Sequence, residues 1–194
     1  MNYDVIIIGV GVVGSSVALG LAQQGHKVAI VDKSPIPPNS PRHLSVNKKS
    51  SAFLDSLGVW ESVKSSSMPY SKIQAWDREG TGKVEFSAKD IGENNLGFIV
   101  REGDLQDFLV ASLKQERVDI FWSRELVNIE DKKGLVEISL DDGEKIICSS
   151  LLGADGISSK VRELCNFKIK SWSYDQQAIV GQIDSREKLD NVIR

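Results

Sequence analysis

Near the amino terminus the apolar positions fall in two continuous runs. Residues 4–8 are apolar and rich in β-branched side chains after Asp4, the pattern of a strand covered on both faces. Residues 27–31 repeat it and end at Asp32. Between the runs, Val17, Ala18 and Leu21 recur at helical spacing over residues 15–24, and Gly25 stands where a C-cap belongs. The opening segment therefore predicts one βαβ unit, with parallel strands joined by a right-handed crossover. Residues 34–41 hold four of the five prolines and predict a loop.

Further along, residues 46–57 predict a helix closed by Gly58. Residues 73–76 and 83–86 predict a strand pair around the turn at 79–82, and residues 98–100 another short strand. Leu105, Phe108, Leu109 and Leu113 mark an amphipathic helix over 104–113. Three strands then follow without an intervening helix, at 126–129, 135–140 and 145–152, joined by Gly-containing turns at 131–134 and 141–143. A short helix over 157–164 and a last strand over 177–182 complete the pattern.

Composition narrows the function classes. The 194 residues are 41% hydrophobic and 26% charged, an ordinary globular balance. A net charge of -3 and an acidic pI near 5.5 argue against a nucleic-acid partner. The weak basic cluster at Arg42, Lys48 and Lys49 suits a local anion better than a polyanion. Two cysteines and two histidines provide neither metal-ligand spacing nor a disulfide framework, so no metal is expected. The apolar stretch 5–13 lacks a basic flank and is broken by Gly9 and Gly11, so a cytoplasmic protein is expected. Peripheral membrane contact stays open.

Candidate chemistry sits at two junctions. Gly9, Gly11 and Gly14 follow the first strand and open the first helix, while Asp32 ends the second strand. The first glycine permits a tight turn, the second lets a pyrophosphate reach the backbone, and the third allows close helix–strand packing. Free N–H groups at Val12 and Val13 and the helix dipole favour an anion there. Asp32, with Lys33 beside it, is placed to accept from ribose hydroxyls, and its charge disfavours a 2′-phosphate. The pattern reads as a dinucleotide site for FAD or NAD. The second junction is residues 151–162, a buried strand ending in Asp155-Gly156 and then a helix start with serines at its cap.

Asp155, Gly156, Ser159 and Arg162 stand in the register DGxxSxxR. Together with the N-terminal glycines this resembles the FAD-dependent aromatic hydroxylases, a flavoprotein monooxygenase superfamily. Arg42-His-Leu-Ser-Val-Asn47, Phe53 through Trp60 with its Leu-Gly-Val-Trp ending, Leu96 through Val100 and Tyr174 through Val180 are similar to the ubiquinone-biosynthesis branch. The resemblance implies an α/β fold, Rossmann-like and of the glutathione-reductase type, with a three-stranded antiparallel meander and the start of a β-rich substrate domain. It implies FAD held by Gly9, Gly11, Val12, Val13, Gly14, Asp32, Lys33, Arg42, Val127 and Asp155, with Val127 meeting the adenine through its backbone. The family often carries Arg, Gln or Asn three residues before the helix Leu; here Glu102 precedes Leu105. Either Arg101 takes that contact or it is absent.

In domain terms the expectation is an FAD-binding βαβ and helix over 1–70, first substrate-side strands over 71–100, a return to the FAD domain over 101–165, and substrate-domain residues over 166–194. The implied activity is NAD(P)H-dependent hydroxylation of a small aromatic substrate such as a prenylated phenol. No catalytic acid or base is assigned. Family members are longer and carry a third, Gly-Asp fingerprint in the part not matched, so this stretch alone is expected to be inactive or impaired. An FAD-binding module working through a partner, a homo-oligomer, a multi-protein association and an NAD-dependent oxidoreductase remain alternatives.

Overall fold

The computed structural model describes residues 2–36, 40–179, 181, 186 and 190–194. In chain order its elements are β1 (Asn2–Ile8), α1 (Val12–Gln23), β2 (Val28–Asp32), β3 (His43–Asn47), α2 (Lys48–Ser56), α3 (Trp60–Lys64), β4 (Met68–Tyr70), β5 (Lys72–Trp76) and β6 (Lys83–Ser87). Then come β7 (Gly97–Arg101), α4 (Glu102–Gln115), β8 (Asp119–Trp122), β9 (Leu126–Asp131), β10 (Val136–Leu140), β11 (Lys145–Gly153), α5 (Lys160–Leu164) and β12 (Val192–Ile193). The elements group into two units, Met1–Asn39 with Leu105–Trp172, and Ser40–Asp104 with Ser173–Arg194.

The first unit is built on a six-stranded sheet in the order β8-β2-β1-β11-β10-β9. β1 runs parallel to both β2 and β11, and β2 parallel to β8, so these four strands end together. Ile8 is level with Val31 on one side and Gly153 on the other. The predicted βαβ unit is present, with α1 packed on β1 and β2. β9, β10 and β11 pair antiparallel in succession.

β11 is at once the last strand of that antiparallel set and the neighbour of β1. The two edge strands, β8 and β9, are only four Cα steps apart at Trp122 and Leu126. Such a link reaches about 14 Å at full extension. Five gaps between the strands of a flat sheet would need about 24 Å. The sheet must therefore curl back on itself. The burial pattern agrees: Leu126, Ile138, Leu140 and Ile146 share one cluster with Ile6, Ile8, Ala29 and Val31. Ile7 and Ile30, of opposite parity, are buried on the other face. Each such fully buried aliphatic contributes about 1.5–3 kcal/mol, more than an exposed ion pair, so this core rather than surface charge sets the fold.

The second unit holds two three-stranded sheets, β3-β7-β4 and β12-β5-β6. The Trp60 and Phe98 rings meet edge-on at 5.0 Å, and the Ser45 and Tyr70 hydroxyls are 2.8 Å apart.

Several sequence expectations shift. Residues 46–57 do not form one helix. Val46 and Asn47 belong to β3, which pairs antiparallel with β7, and Asn47 caps α2 by accepting from the Ser50 N–H at 2.9 Å. The helix expected at 157–164 starts at Lys160, because Ser159 is its cap and accepts from the Arg162 N–H at 3.1 Å. Residues 177–179 are not a strand, and the rest of that expected element lies largely outside the described residues. β3, β4, β8 and β12 were not expected. Among the described residues no helix is long and apolar enough to cross a membrane.

Candidate functional site at the carboxyl ends of the parallel strands

Three loops leave the sheet side by side, after β1, β2 and β11. The first is the glycine turn. Gly9 has φ +106°, and a Cβ there would lie 2.5 Å from the Ala154 carbonyl oxygen. A Cβ on Gly14 would lie 1.9 Å from the Gly9 carbonyl oxygen. These two positions thus admit no side chain, and they lock α1, the β1 turn and the β11 turn together. The Ala154 N–H donates to the Ile8 carbonyl at 2.7 Å, which joins the Asp-Gly segment to the glycine turn.

Gly11 differs. It caps α1 with φ -74° and ψ 175°, no side chain caps the helix, and no atom lies within 4 Å of where its Cβ would stand. The space over the helix start is open. Val12 and Val13 open the helix, whose first N–H groups have no acceptor within it. The first turn carries no acidic residue, so nothing there opposes an anion.

Asp32 ends β2 and secures the turns around it. Its carboxylate accepts the Val10 N–H at 2.7 Å and the Ser34 N–H at 2.8 Å. Each oxygen has thus one backbone donor and keeps lone-pair capacity for a ligand hydroxyl. Lys33, next in the chain, is exposed.

The Asp155 carboxylate is similarly committed. It accepts from the Ser159 hydroxyl at 2.6 Å and from the Lys160 and Val161 N–H groups at 2.6 and 3.2 Å. Burial pushes this carboxyl up, but the Ser159 hydroxyl and the helix-start amides outweigh it, and the net effect holds it below the usual aspartate range. Asp155, Gly156, Ser159, Arg162 and Phe167 line a recess of about 270 Å³. Val127, on the edge strand β9, is 45% exposed.

The two candidate arginines belong to the second unit. The Arg42 guanidinium binds Glu102 through two contacts, 2.9 Å from Nε and 2.8 Å from Nη2, and the Ser40 hydroxyl donates to the same carboxylate. Arg101 is paired with Asp104 at 2.8 Å. Glu102, which departs from the family pattern, is therefore the direct partner of Arg42.

Sequence reasoning missed Gln106. This α4 residue is 3% exposed, and its amide donates to the Val10 carbonyl and, at 3.2 Å, to the Ser15 hydroxyl. A signal was available. Gln106, Leu109, Val110 and Leu113 fall at i, i+3, i+4 and i+7, so a polar side chain interrupts an otherwise apolar stripe.

Comparison with known proteins agrees with this geometry. A family model described as FAD binding domain matches residues 2–192. The 3-demethoxyubiquinol 3-hydroxylase of Escherichia coli is 30% identical over 185 residues, covering 91% of this chain and 47% of that protein. The mitochondrial ubiquinone biosynthesis monooxygenase COQ6 of Xenopus tropicalis is 30% identical over 211 residues, covering 97% and 45%. In structure, the flavin-dependent monooxygenase PieE, solved with FAD and substrate, superposes with a TM-score of 0.74 at 19% identity over 86% of this chain and 32% of its own. PqsL of P. aeruginosa gives 0.75 at 21% identity, over 90% and 48%. The chain spans about half the length of the curated relatives it matches. With its glycine turn, Asp32 and Asp155-Gly156 segment assembled at one edge of the sheet, the chain belongs to the FAD-binding domain family and is similar over nearly all its length to the ubiquinone-biosynthesis hydroxylases.

Proposed function

We propose that this chain is the FAD-binding portion of an NAD(P)H-dependent flavin monooxygenase that hydroxylates an aromatic ring, with a prenylated phenol of ubiquinone biosynthesis as the substrate class. One observation carries the reading: the glycine turn and the Asp-Gly segment meet, with Ala154 against Gly9 and Gly9 against Gly14, while the space over Gly11 stays open. That cradle fits the ADP half of FAD. The Val12 and Val13 N–H groups would hold the pyrophosphate, and the spare lone pairs of Asp32 would accept from the ribose hydroxyls. Asp155 holds the β11–α5 turn in shape through Ser159, Lys160 and Val161.

When bound, FAD supplies the redox and oxygen-activating chemistry; the protein orients it and shapes the dry pocket around the substrate. The first unit is assigned to the dinucleotide, in a glutathione-reductase-type arrangement, and the second to the substrate side. Arg42 and Arg101 are assigned to the cofactor's phosphate side. NAD(P)H as donor and a cytoplasmic location with peripheral membrane contact belong to the same reading; so does dependence on further chain or a partner for turnover, which the curated relatives support by being about twice the matched length.

The test is to purify the protein, record its visible absorbance, and identify the cofactor released on denaturation. Stoichiometric FAD supports the reading. A folded, colourless protein that binds NAD and not FAD overturns it.

A further inference from the structure

We propose that Gln106 is a positioning residue for the anion-binding backbone of the glycine turn. This rests on the dinucleotide reading above and adds to it a residue from a helix outside the βαβ unit.

The geometry is as follows. Val10 is 1% exposed, and its peptide groups are held on both sides. Its N–H donates to the Asp32 carboxylate at 2.7 Å. Its carbonyl accepts from the Gln106 amide and from the Ser15 hydroxyl, the latter at 3.3 Å. Gln106 also donates to Ser15 at 3.2 Å, so three groups close a ring of hydrogen bonds, and Gln106 and Ser15 are both buried.

The consequence follows from the planarity of the peptide bond. In a trans peptide the carbonyl and the next N–H point in opposite directions. Holding the Val10 carbonyl inward, toward α4, turns the Gly11 N–H outward. The position that a Gly11 Cβ would take is also open, with nothing within 4 Å of it. Flipping this peptide would strip the buried Val10 carbonyl of both donors and leave the Gln106 amide and Ser15 hydroxyl without an acceptor, a costly exchange in a site closed to water. Gln106 thus fixes one amide toward the pyrophosphate before any ligand arrives. Serine alone cannot do the same: at 3.3 Å the Ser15 contact is the longer of the two and comes from the same turn that must be held.

The test separates phosphate recognition from general folding. ADP and adenosine are titrated calorimetrically into the parent protein and into Gln106→Met, which keeps the volume and removes the donor. Positioning predicts about tenfold weaker ADP binding, the equivalent of one oriented hydrogen bond, with adenosine affinity within about twofold of the parent. Equal ADP affinity in parent and variant overturns the proposal. So does a parallel loss of ADP and adenosine, which marks a merely structural residue.

Gln106→Glu gives an independent readout if the Met variant does not fold. Its protonated carboxyl can donate to Val10 and its ionised form cannot. The ADP affinity ratio of variant to parent should therefore fall as pH rises; a flat ratio overturns the proposal. A parent that binds neither ADP nor FAD removes the dinucleotide reading itself, an outcome distinct from either variant result.

Discussion

Gly14→Ala should cost stability and Gly11→Ala should cost ligand binding instead, although both add one methyl group to the same turn. At Gly14 the new Cβ would stand 1.9 Å from the Gly9 carbonyl oxygen and 3.2 Å from the Ala154 Cβ. An unstrained carbon–oxygen contact needs about 3.4 Å, so the backbone must part by about 1.5 Å. Gly9 cannot retreat freely, because its N–H is bonded to the Val31 carbonyl at 2.8 Å and the adjoining Ile8 carbonyl accepts from the Ala154 N–H at 2.7 Å. The cost belongs at the upper end of the overpacking range, about 3 kcal/mol. For a chain of this size that is a fall in Tm of about 6–12 °C. At Gly11 the methyl meets nothing and φ is -74°, which any residue adopts. Reduced freedom of the unfolded chain stabilises by about 0.4–1 kcal/mol, and the poorer cap offsets a similar amount. The net change in Tm should stay within about 3 °C. ADP affinity should nonetheless drop at least about tenfold, because the methyl fills the space that the phosphate enters. Thermal melts by circular dichroism without ligand, followed by calorimetry with ADP, measure both. The packing argument is refuted if Gly14→Ala melts within about 2 °C of the parent, or if Gly11→Ala is the less stable of the two.

The capping role of Asp155 makes a pH-dependent prediction. Its folded pKa is depressed, so its contribution is present above the ordinary aspartate value near 3.9 and is lost as pH falls through the folded value. Asp155→Ala should lower Tm by about 2–4 °C at neutral pH, roughly one lost cap, with the gap to the parent closing below about pH 4; a gap that widens in acid contradicts the sign. Glu102→Gln should change stability by less than about 1 kcal/mol in chemical denaturation, since Arg42 is 66% exposed in that pair. The two cysteines should behave differently toward a thiol reagent. Cys165 is exposed, whereas burial covers Cys148 and pushes its thiol up, so the native protein should show one fast thiol and the denatured protein two.

The parts of the fold legible in the sequence are those fixed by local rules. The βαβ unit showed because its strands are buried on both faces and read as unbroken apolar runs, with glycines punctuating each end. The antiparallel set after Leu126 showed because its turns carry glycine and β10 alternates. β8 did not show: its four residues follow the charged turn at Glu116 and Arg117, and only parallel pairing with β2 makes them a strand. β3 was hidden for the same reason, since its single buried side chain, Val46, suits a helix equally well until β7 lies beside it. In the site, glycine spacing and Asp32 announce themselves within one short segment, whereas Gln106 joins the turn across 96 residues of chain. Arg42 is expected near a cofactor from its sequence context, whereas its bidentate partner Glu102 lies 60 residues away, a pairing that no local pattern encodes.

The central position of β1 also bears on how the molecule comes into being. β1 is made well before one of its two neighbours, β11, which is not complete until Gly153. On the ribosome, β1 and β2 can pair early, but they must wait for most of the first unit with one side of β1 unmet. Contacts so distant in sequence are slow to form. Through that interval Ile6, Ile7 and Ile8 present an apolar strand edge of the kind that recruits chaperones or aggregates. Yield during expression should therefore depend more on how quickly residues 145–153 find β1 than on the stability of the finished sheet.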